Sequence, residues 1–364
     1  MKIVVTGTRG IPRIMGGVET HCEELFPRIA AMGHDVTVVR RSCYVTDDNR
    51  INEYKGVKLV DVFAPKKKSI EAALHTFLAV IKARRMGADI LHVHAVGPSL
   101  MIPFARLLGL KVVMTHHGPD YDREKWGRMA KFALRLGERM GAYGSNGIIV
   151  ISQVIANIIK SKYGRSSYLI FNGVNKPEKS NNTDYVDSLG LQPQKYVVAL
   201  GRFVKEKGFD LLIEAFRRLG NSDYKLVIAG DADHEDAYSI SLKVLAKEQN
   251  VVLTGFIKGE KLNQLMTNAA LFVLPSSHEG LPISLLEAMS YDLDVLVSDI
   301  PANKLPELET GDFFKCGDCE SLKNALSVKL QRQPKGRKYN LMNYDWDNIA
   351  RQTVEVYNKV LGKR

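Results

Sequence analysis

The chain has 364 residues, about twice the usual length of one domain, and 45% apolar and 25% charged residues, which is typical of a globular enzyme. This composition excludes a disordered chain, a collagen-like chain and a disulfide scaffold. No apolar run reaches the roughly 18 residues of a membrane-spanning helix, and the first ten residues do not resemble a signal peptide. We therefore expect a cytoplasmic protein of two domains.

The net charge of +11 is distributed unevenly along the chain. Residues 1–180 carry 28 basic and 15 acidic side chains, whereas residues 181–364 carry 23 and 25. Such asymmetry indicates an anionic partner for the first half alone. Nucleic acid, an anionic membrane surface and a phosphorylated substrate all satisfy that requirement.

The four cysteines favour a reducing compartment, because they are too few and too widely spaced for a disulfide framework. Cys316-Gly-Asp-Cys319 has the spacing of half a zinc knuckle. No second cysteine pair or histidine cluster in the sequence completes four ligands, so we expect no structural zinc.

The first half of the chain alternates between predicted strands and helices. It opens with the β-branched strand Lys2–Thr6 and the helix Gly17–Ala31. The further strands predicted here are Asp35–Val39, Val57–Val62, Ile90–Val93, Val112–Thr115 and Gly147–Ile151, and the helices are Ser69–Met86, Ser99–Leu108 and one within Arg123–Gly141. This alternation predicts a parallel sheet with crossover helices on both faces.

The second half repeats the pattern after a polar stretch. The strands predicted there are Tyr196–Leu200, Lys225–Ala229, Val251–Thr254, Leu271–Leu274 and Asp294–Val297. We expect an α/β protein with an N-terminal domain (1–175), a linker (176–194) and a C-terminal domain (195–340), each Rossmann-like, followed by a C-terminal segment (341–364). Ligands of such sheets bind beyond the carboxyl ends of the strands.

A glycine-rich loop follows the first predicted strand. It contains Thr6-Gly-Thr-Arg-Gly10 and then Gly16-Gly17-Val-Glu19, which opens the first helix. Glycines there permit close approach of the backbone, and free N–H groups favour an anion. The spacing is not that of the GxGxxG dinucleotide fingerprint, which argues against a nicotinamide oxidoreductase. A tight turn is the structural alternative.

Two further loops carry candidate functional side chains. Arg202 and Lys207 follow the first strand of the second half and precede a helix, so they form a candidate pyrophosphate clamp, whereas we expect Lys205 to be solvated. Glu279-Gly280-Leu281-Pro282 precedes a helix that carries Glu287. The two glutamates suit acid/base chemistry or hydroxyl binding, with helix capping and a surface salt bridge as the structural alternatives.

These motifs together resemble the retaining glycosyltransferases of family 4, which have the GT-B fold of two Rossmann-like domains facing a central cleft. The motifs that carry the resemblance, in chain order, are Gly16-Gly17-Val-Glu, His92-Val-His94, Thr115-His-His117-Gly118, Asn172-Gly-Val174, Gly201-Arg202 with Lys207-Gly208, and Glu279-Gly-Leu-Pro with Glu287-Ala. The resemblance extends to Tyr344-Asp-Trp346, which precedes the last helix. It implies that this helix crosses back to the N-terminal domain. The residues of the helix alone are compatible with packing on either domain.

The resemblance implies a role for each matching residue. Arg202 and Lys207 would hold the donor diphosphate, and Glu287 would bind the ribose. Glu279 and His117 would lie by the donor sugar, so the catalytic candidates are His117, Glu279, Arg202 and Lys207. The remaining donor-binding candidates are Gly16, Gly17, Phe256, Ile257, Gly280 and Leu281.

We expect no cofactor and no metal, because cations and helix N-termini stabilise charge on a leaving diphosphate without one. Asp231-Ala-Asp233 mimics the metal motif of another glycosyltransferase fold, but it follows a strand of the GT-B pattern. The family's usual Gly and Pro are replaced near Tyr291-Asp292, and we expect Asp292 to adopt the left-handed conformation.

The acceptor side is predicted from the first half of the chain. His94 is a candidate acceptor contact or a core histidine, and Tyr121, Lys125 and Trp126 are candidates for an acceptor-facing loop. Basic Arg128, Lys131, Arg135 and Arg139 adjoin an apolar stripe on one predicted helix, and Lys66-Lys67-Lys68 precedes another. Solvated faces and docking on anionic lipid are both compatible with this pattern. Nucleic acid is disfavoured, because no aromatic platform accompanies the charge.

The sequence therefore predicts a retaining, metal-independent glycosyltransferase of bacterial surface-polysaccharide synthesis. The donor is expected to be a nucleotide sugar, with uridine the commonest base in the family. The acceptor is expected to be a saccharide, free or linked to polyprenyl diphosphate, at the inner face of the cell membrane. A nucleotide-sugar 2-epimerase and a non-catalytic nucleotide-sugar-binding partner are the alternatives.

Overall fold

The chain folds into two compact units in a computed structural model. The structure describes residues 1–65, 70–123, 126–220, 223–233, 235–332 and 336–363. Unit 1 comprises Met1–Gly173 together with Asn343–Arg364, and unit 2 comprises Val174–Met342. The chain thus leaves unit 1, forms unit 2 and returns to unit 1 for its last helix.

The described part of unit 1 contains an eight-stranded sheet in the order β3-β4-β2-β1-β5-β6-β7-β8. The strands are β1 (Lys2–Thr6), β2 (Asp35–Arg41), β3 (Glu53–Tyr54), β4 (Val57–Val62), β5 (Ile90–His94), β6 (Val112–His116), β7 (Gly147–Val150) and β8 (Tyr168–Leu169). The helices are α1 (Gly17–Ala31), α2 (Glu71–Arg85), α3 (Ile102–Leu107), α4 (Arg128–Gly144), α5 (Gln153–Tyr163) and, from the end of the chain, α12 (Trp346–Leu361). Only the β3–β4 pair is antiparallel among these strand pairs.

The apolar strands of unit 1 are buried on both faces, as crossover helices require. Successive side chains of a strand point to opposite faces. Ile3 and Val5 belong to a core with Leu25 of α1 and Tyr357 of α12. Val4 belongs to a second core on the other face, with α2 and α3. The last helix is therefore part of the covering layer of unit 1.

The described part of unit 2 contains a six-stranded, wholly parallel sheet in the order β11-β10-β9-β12-β13-β14. The strands are β9 (Tyr196–Leu200), β10 (Lys225–Ala229), β11 (Val252–Leu253), β12 (Leu271–Leu274), β13 (Asp294–Ser298) and β14 (Phe313–Phe314). The helices are α6 (Asp184–Ser188), α7 (Phe209–Arg218), α8 (Ala237–Glu248), α9 (Glu260–Thr267), α10 (Ile283–Ser290) and α11 (Cys319–Gln331). One core joins strands β9, β10 and β12 to helices α7, α8 and α11.

The prediction of two α/β domains with parallel sheets is confirmed, but the expected linker is structured. Residues 176–194 lie within unit 2 and include α6. Val186 and Leu191 are buried there, so even a polar stretch is held in place by its few apolar side chains. Among the described residues, no helix is both long and apolar enough to cross a bilayer.

In each sheet, the direction in which successive strands are added reverses at one strand. In unit 1, β1 lies between β2 and β5, and in unit 2, β9 lies between β10 and β12. Crossovers on the two sides of such a strand run in opposite directions, which opens a crevice beyond its carboxyl end. The glycine-rich loop follows β1, and the loop with Arg202 and Lys207 follows β9.

Candidate functional site

The two predicted phosphate-binding cations of unit 2 are both paired with carboxylates. Arg202 Nη1 donates to Asp233 Oδ2 at 2.7 Å, and Lys207 Nζ donates to Glu279 Oε1 at 2.6 Å. Less than a fifth of each of these four side chains is exposed. Loops after β9, β10 and β12 thus bring two cations and two carboxylates to one edge of the sheet.

The loop after β9 is packed tightly against the loop after β12. Gly208, which precedes α7, has φ +64°, and a Cβ there would lie 2.6 Å from the carbonyl oxygen of Pro275. The N–H of Ser277 donates to the carbonyl of Glu206 at 2.9 Å. These contacts hold Lys207 and Glu279 on neighbouring backbones, while Lys205 is exposed as expected.

The segment from Glu279 to Glu287 leads from the loop into α10. Leu281 is buried, whereas Glu279, Gly280 and Glu287 are half-buried. Pro282 is the residue before α10. At the other end of this helix, Asp292 has φ +58°, which confirms its predicted left-handed conformation.

Phe256 and Ile257 follow β11, the edge strand beside β10. Phe256 is 43% exposed and Ile257 is half-buried. The ammonium of Lys258 lies 5.7 Å from the centroid of the Phe256 ring. An exposed aromatic ring at this edge is available to stack on a base.

In unit 1, the glycine-rich loop is organised by Glu19 rather than by its glycines alone. The carboxylate oxygen Oε1 of Glu19 accepts from Thr8 Oγ1 at 3.2 Å and from the N–H of Arg9 at 3.0 Å. A Cβ on Gly16 would lie 2.1 Å from Glu19 Oε2, whereas nothing lies within 4 Å of one on Gly17. Glu19 thus ties the loop to the first turn of α1 and leaves the Cα of Gly17 open.

The predicted site histidines of unit 1 lie in a cluster of imidazoles. His94, at the end of β5, approaches His117 through its Nδ1 atom, 2.9 Å from His117 Nε2. The ring of His21, on α1, lies edge-on to both, with centroids 5.5 Å from His94 and 4.9 Å from His117. His92 stacks on His94 at 4.2 Å. His94 is fully buried and His117 is half-buried.

These imidazoles are neutral at pH 7. Burial lowers the pKa of His21 to about 4 and that of His92 to about 3. Burial, together with the neighbouring imidazoles, also lowers the pKa of His94 and of His117 well below 6.5. Neutral imidazoles offer one donor and one acceptor nitrogen each, which suits hydroxyl groups or a metal ion.

Of the three residues predicted for an acceptor-facing loop, Tyr121 is buried. Tyr121 is 3% exposed, and its hydroxyl donates to Glu138 Oε1 at 2.9 Å and accepts from Lys162 Nζ at 2.6 Å. Its phenol therefore belongs to a buried network and does not face an acceptor. Trp126 is half-buried, and Lys125 lies outside the described residues.

Glu138 is the centre of that network and was missed by the sequence analysis. His116 Nε2 donates to it at 2.9 Å and Tyr163 at 2.6 Å. Burial alone would raise the pKa of this carboxyl, but hydrogen bonds from His116 and Tyr163 and the charge of Lys162 lower it to about 2. His116 Nδ1 accepts from the N–H of Gly118 at 3.1 Å. The network thereby fixes the loop that carries His117.

His21 was also missed, because a histidine inside a predicted helix gives no local signal. It is 3% exposed, and its Nδ1 lies 3.0 Å from Asn172 Oδ1. Asn172 belongs to the Asn172-Gly-Val174 motif, but its contact with His21 joins residues 151 positions apart. In the Asp231-Ala-Asp233 motif, Asp231 Oδ1 lies 3.0 Å from Lys243 Nζ, and Asp233 pairs with Arg202.

Two family models match consecutive parts of the chain. Residues 15–176 match the model described as Glycosyltransferase Family 4, and residues 182–340 match that described as Glycosyl transferases group 1. Together they extend over both units.

Curated relatives align with most of the chain. An uncharacterized glycosyltransferase of Methanocaldococcus jannaschii is 27% identical over 98% of both chains. A GDP-mannose:cellobiosyl-diphosphopolyprenol alpha-mannosyltransferase of Komagataeibacter xylinus is 24% identical over 76% of this chain and 73% of the relative.

Solved structures share the fold. Sucrose-phosphate synthase of Thermosynechococcus elongatus superimposes with a TM-score of 0.83 at 20% identity, covering 99% of each chain. Anabaena HepE in complex with UDP-glucose gives a TM-score of 0.74 at 16% identity, covering 98% of this chain and 97% of the other. The chain belongs to the family 4 glycosyltransferases, which have the GT-B fold.

Proposed function

We propose that the chain transfers a sugar from a nucleoside-diphosphate sugar, a UDP-sugar in the first instance, to a saccharide acceptor with retention of the anomeric configuration. This proposal is supported above all by the placement of Arg202 and Lys207. Both residues lie beyond the carboxyl end of β9, the strand at which the strand order in the sheet of unit 2 reverses. An anion is expected at that position from the topology of the sheet and from the charge of the two side chains.

The chemistry of the step requires the residues that meet there. Breaking the bond between the anomeric carbon and the diphosphate develops negative charge on the leaving group, and two preorganised cations stabilise it. The carboxylates of Asp233 and Glu279 hold those cations in place. We therefore propose that no metal ion takes part in the transfer and that no cofactor is needed.

The two alternatives predict different results. A 2-epimerase converts the nucleotide sugar without any acceptor, and a non-catalytic partner binds it without turnover. The retention of Arg202, Lys207, Glu279 and Glu287 together favours an active enzyme.

The donor is tested by thermal stabilisation with uridine, guanosine, thymidine and adenosine diphosphate sugars. A ligand at a hundred times its dissociation constant raises the free energy of unfolding by about 2.7 kcal/mol. One nucleotide class is expected to stabilise the wild type, with smaller effects in Arg202→Ala and Glu287→Ala. The GDP-mannose specificity named for the Komagataeibacter relative makes guanosine the leading alternative base. Absence of stabilisation by all four classes, with a folded protein, contradicts the proposed donor site.

We further propose that the acceptor is a polyprenyl-diphosphate-linked saccharide, reached from the cytoplasmic face of an anionic membrane. The Komagataeibacter relative is named for such an acceptor. On α4, Met129 is 88% and Phe132 69% exposed, beside exposed Arg128 and Arg135. The helix packs through its opposite face, which includes Gly137 and Gly141. Exposed apolar side chains flanked by cations favour an anionic lipid surface.

Vesicle sedimentation tests this docking. We expect binding to vesicles of phosphatidylglycerol and not to vesicles of phosphatidylcholine. Phe132→Ser is expected to weaken the binding, whereas Ile240→Ser, at an apolar position 52% exposed on α8, is the matched control. Equal binding by both variants contradicts the role of α4. The predicted contribution of Lys66-Lys67-Lys68 falls outside the described residues.

A further inference from the structure

Three histidines of unit 1 direct nitrogen atoms at one another from three separate elements. His21 lies on α1, His94 ends β5 and His117 follows β6. One nitrogen of each lies within 4.8 Å of the nitrogens of the other two. We call these residues the three-histidine cluster.

His21 has one nitrogen with a lone pair to offer, and His94 has one buried nitrogen without a hydrogen-bond partner among the described residues. His21 Nδ1 lies 3.0 Å from Asn172 Oδ1, and because an amide oxygen only accepts, this nitrogen carries the proton and Nε2 is left unprotonated. A carbonyl oxygen bound to the second nitrogen is the usual arrangement behind a metal-ligating histidine. His94 Nε2 is buried and has no hydrogen-bond partner among the described residues. Such a buried polar atom needs a partner, and the described part of the chain provides none.

The protonation state of the cluster suits a cation. Burial lowers the pKa of His21 to about 4, and the pKa values of His94 and His117 also lie well below 6.5. The rings are neutral at pH 7, so a metal ion need not displace protons from charged imidazolium groups.

We propose that the three-histidine cluster binds one divalent transition-metal ion of the Zn²⁺ or Co²⁺ type. Three imidazoles with a fourth, open position form a known coordination pattern of such ions, with metal–nitrogen distances of about 2.0–2.1 Å. Three nitrogens on a tetrahedral ion lie about 3.3 Å apart. Nitrogens that lie at most 4.8 Å from one another reach that spacing when each moves by less than about 1 Å. His117 is the half-buried member, and the ion enters from its side.

The bound ion is expected to inhibit the transfer proposed above, because it occupies one nitrogen of His117. The proposal itself does not depend on that function, since metal binding is measured directly. Failure of the donor site and failure of the metal site are therefore distinguished by separate experiments.

The test is titration of the chelator-treated full chain with Co²⁺, followed by visible absorption, and with Zn²⁺, followed by calorimetry. We expect one ion per chain and the intense d–d bands of four-coordinate cobalt. His117→Ala is expected to weaken binding more than about 100-fold, beyond the 10–100-fold range for loss of an outer partner such as Asn172 in Asn172→Ala. His34→Ala, outside the cluster, is expected to bind as the wild type does.

Two controls keep the result decisive. Because His94 is buried and its replacement risks unfolding, the half-buried His117 carries the main test, with circular dichroism to confirm the fold. The double variant Cys316→Ser/Cys319→Ser is expected to bind cobalt unchanged. Thiolate-to-cobalt charge-transfer bands that vanish in this double variant, unchanged affinity in His117→Ala, or no binding by the wild type would each overturn the proposal.

Discussion

Lys207 Nζ lies 2.6 Å from Glu279 Oε1, although the two residues follow different strands and stand 72 positions apart. The pair is mostly shielded from water, with 16% and 12% of the two side chains exposed. A cation held in this way is preorganised for an anion that replaces its carboxylate partner. This arrangement leads to two predictions about the donor site.

Removal of the Lys207 ammonium is expected to abolish most of the transfer. One preorganised donor to a developing oxyanion is typically responsible for a factor of about 100–1000 in kcat. Lys207→Ala is therefore expected to lower kcat by that factor, measured with saturating donor. Lys205→Ala is the matched control, because Lys205 is an exposed lysine on the same turn. Equal activity of the two variants would remove Lys207 from the mechanism.

Glu279→Gln is expected to separate binding of the diphosphate from transfer of the sugar. The substitution removes the negative charge that neutralises Lys207, so the free nucleoside diphosphate binds about tenfold more tightly, corresponding to about 1.4 kcal/mol. Transfer is expected to fall, since the substitution changes the carboxylate for which the resemblance implies a contact with the donor sugar. Calorimetry with UDP and a transfer assay measure the two effects, with the surface variant Glu260→Gln as control. Weaker binding of UDP would contradict the electrostatic argument.

The fold was predictable from the sequence, because strand and helix periodicity are local. The left-handed conformation at Asp292 was predictable from the family resemblance, because a Gly and a Pro are usual in the family near this position. The side chains that hold the site residues in place were not predictable from the sequence. Glu138 is one residue of a predicted helix, and its contacts with His116 and Tyr163 depend on how β6, α4 and α5 pack. The contact between His21 and Asn172 likewise exists only after the sheet of unit 1 has formed.

The buried histidines are expected to make unit 1 sensitive to mild acid. The pKa of His21 is about 4 and that of His92 about 3 in the folded chain, against about 6.5 when unfolded. Between these values the unfolded chain binds the protons that the folded chain excludes, so the free energy of unfolding decreases as the pH falls. Each such histidine is expected to make the free energy of unfolding about 1.4 kcal/mol lower at pH 5.5 than at pH 7.5.

Urea titrations at pH 7.5, 6.5 and 5.5 measure this decrease. Tryptophan fluorescence reports on unit 1 alone, because the two tryptophans of the chain, Trp126 and Trp346, both belong to it. His21→Gln is expected to reduce the pH dependence by the share of one histidine. Glu138 does not contribute in this range, since its pKa of about 2 places its loss of stability below pH 4.5. A pH-independent midpoint would contradict the neutral state of the cluster.

Neutralisation of Glu138 is expected to destabilise unit 1 more than any single hydrogen bond explains. The carboxylate accepts from His116, Tyr121 and Tyr163 in a fully buried position. In Glu138→Gln the NH₂ group of the amide faces side chains that are themselves hydrogen-bond donors. This is expected to lower the free energy of unfolding by about 3 kcal/mol. Tyr163→Phe removes one donor only and is expected to cost about 1 kcal/mol. Urea titration provides both values, and Glu355→Gln, at an exposed position on α12, is the control.

Gly16 and Gly17 are adjacent, but alanine is expected to act differently at each. Gly16 has φ +148° and ψ +151°, a region open essentially to glycine alone, and a Cβ there would displace the Glu19 carboxylate from Thr8 and Arg9. Gly16→Ala is therefore expected to destabilise unit 1 by about 1–3 kcal/mol. Gly17 is the first residue of α1 and a Cβ there meets nothing within 4 Å, so Gly17→Ala is expected to leave stability unchanged or slightly raised.

The pair of variants therefore separates folding from ligand approach at this loop. If the donor phosphate or the acceptor contacts the backbone at Gly17, the added methyl group occupies that space, and transfer falls while the urea midpoint does not. Measurement of both quantities on the same preparations distinguishes the two causes, because Gly16→Ala is expected to lower both. Full activity in Gly17→Ala would mean that no substrate approaches this Cα closely, and the glycine would then serve only the turn into α1.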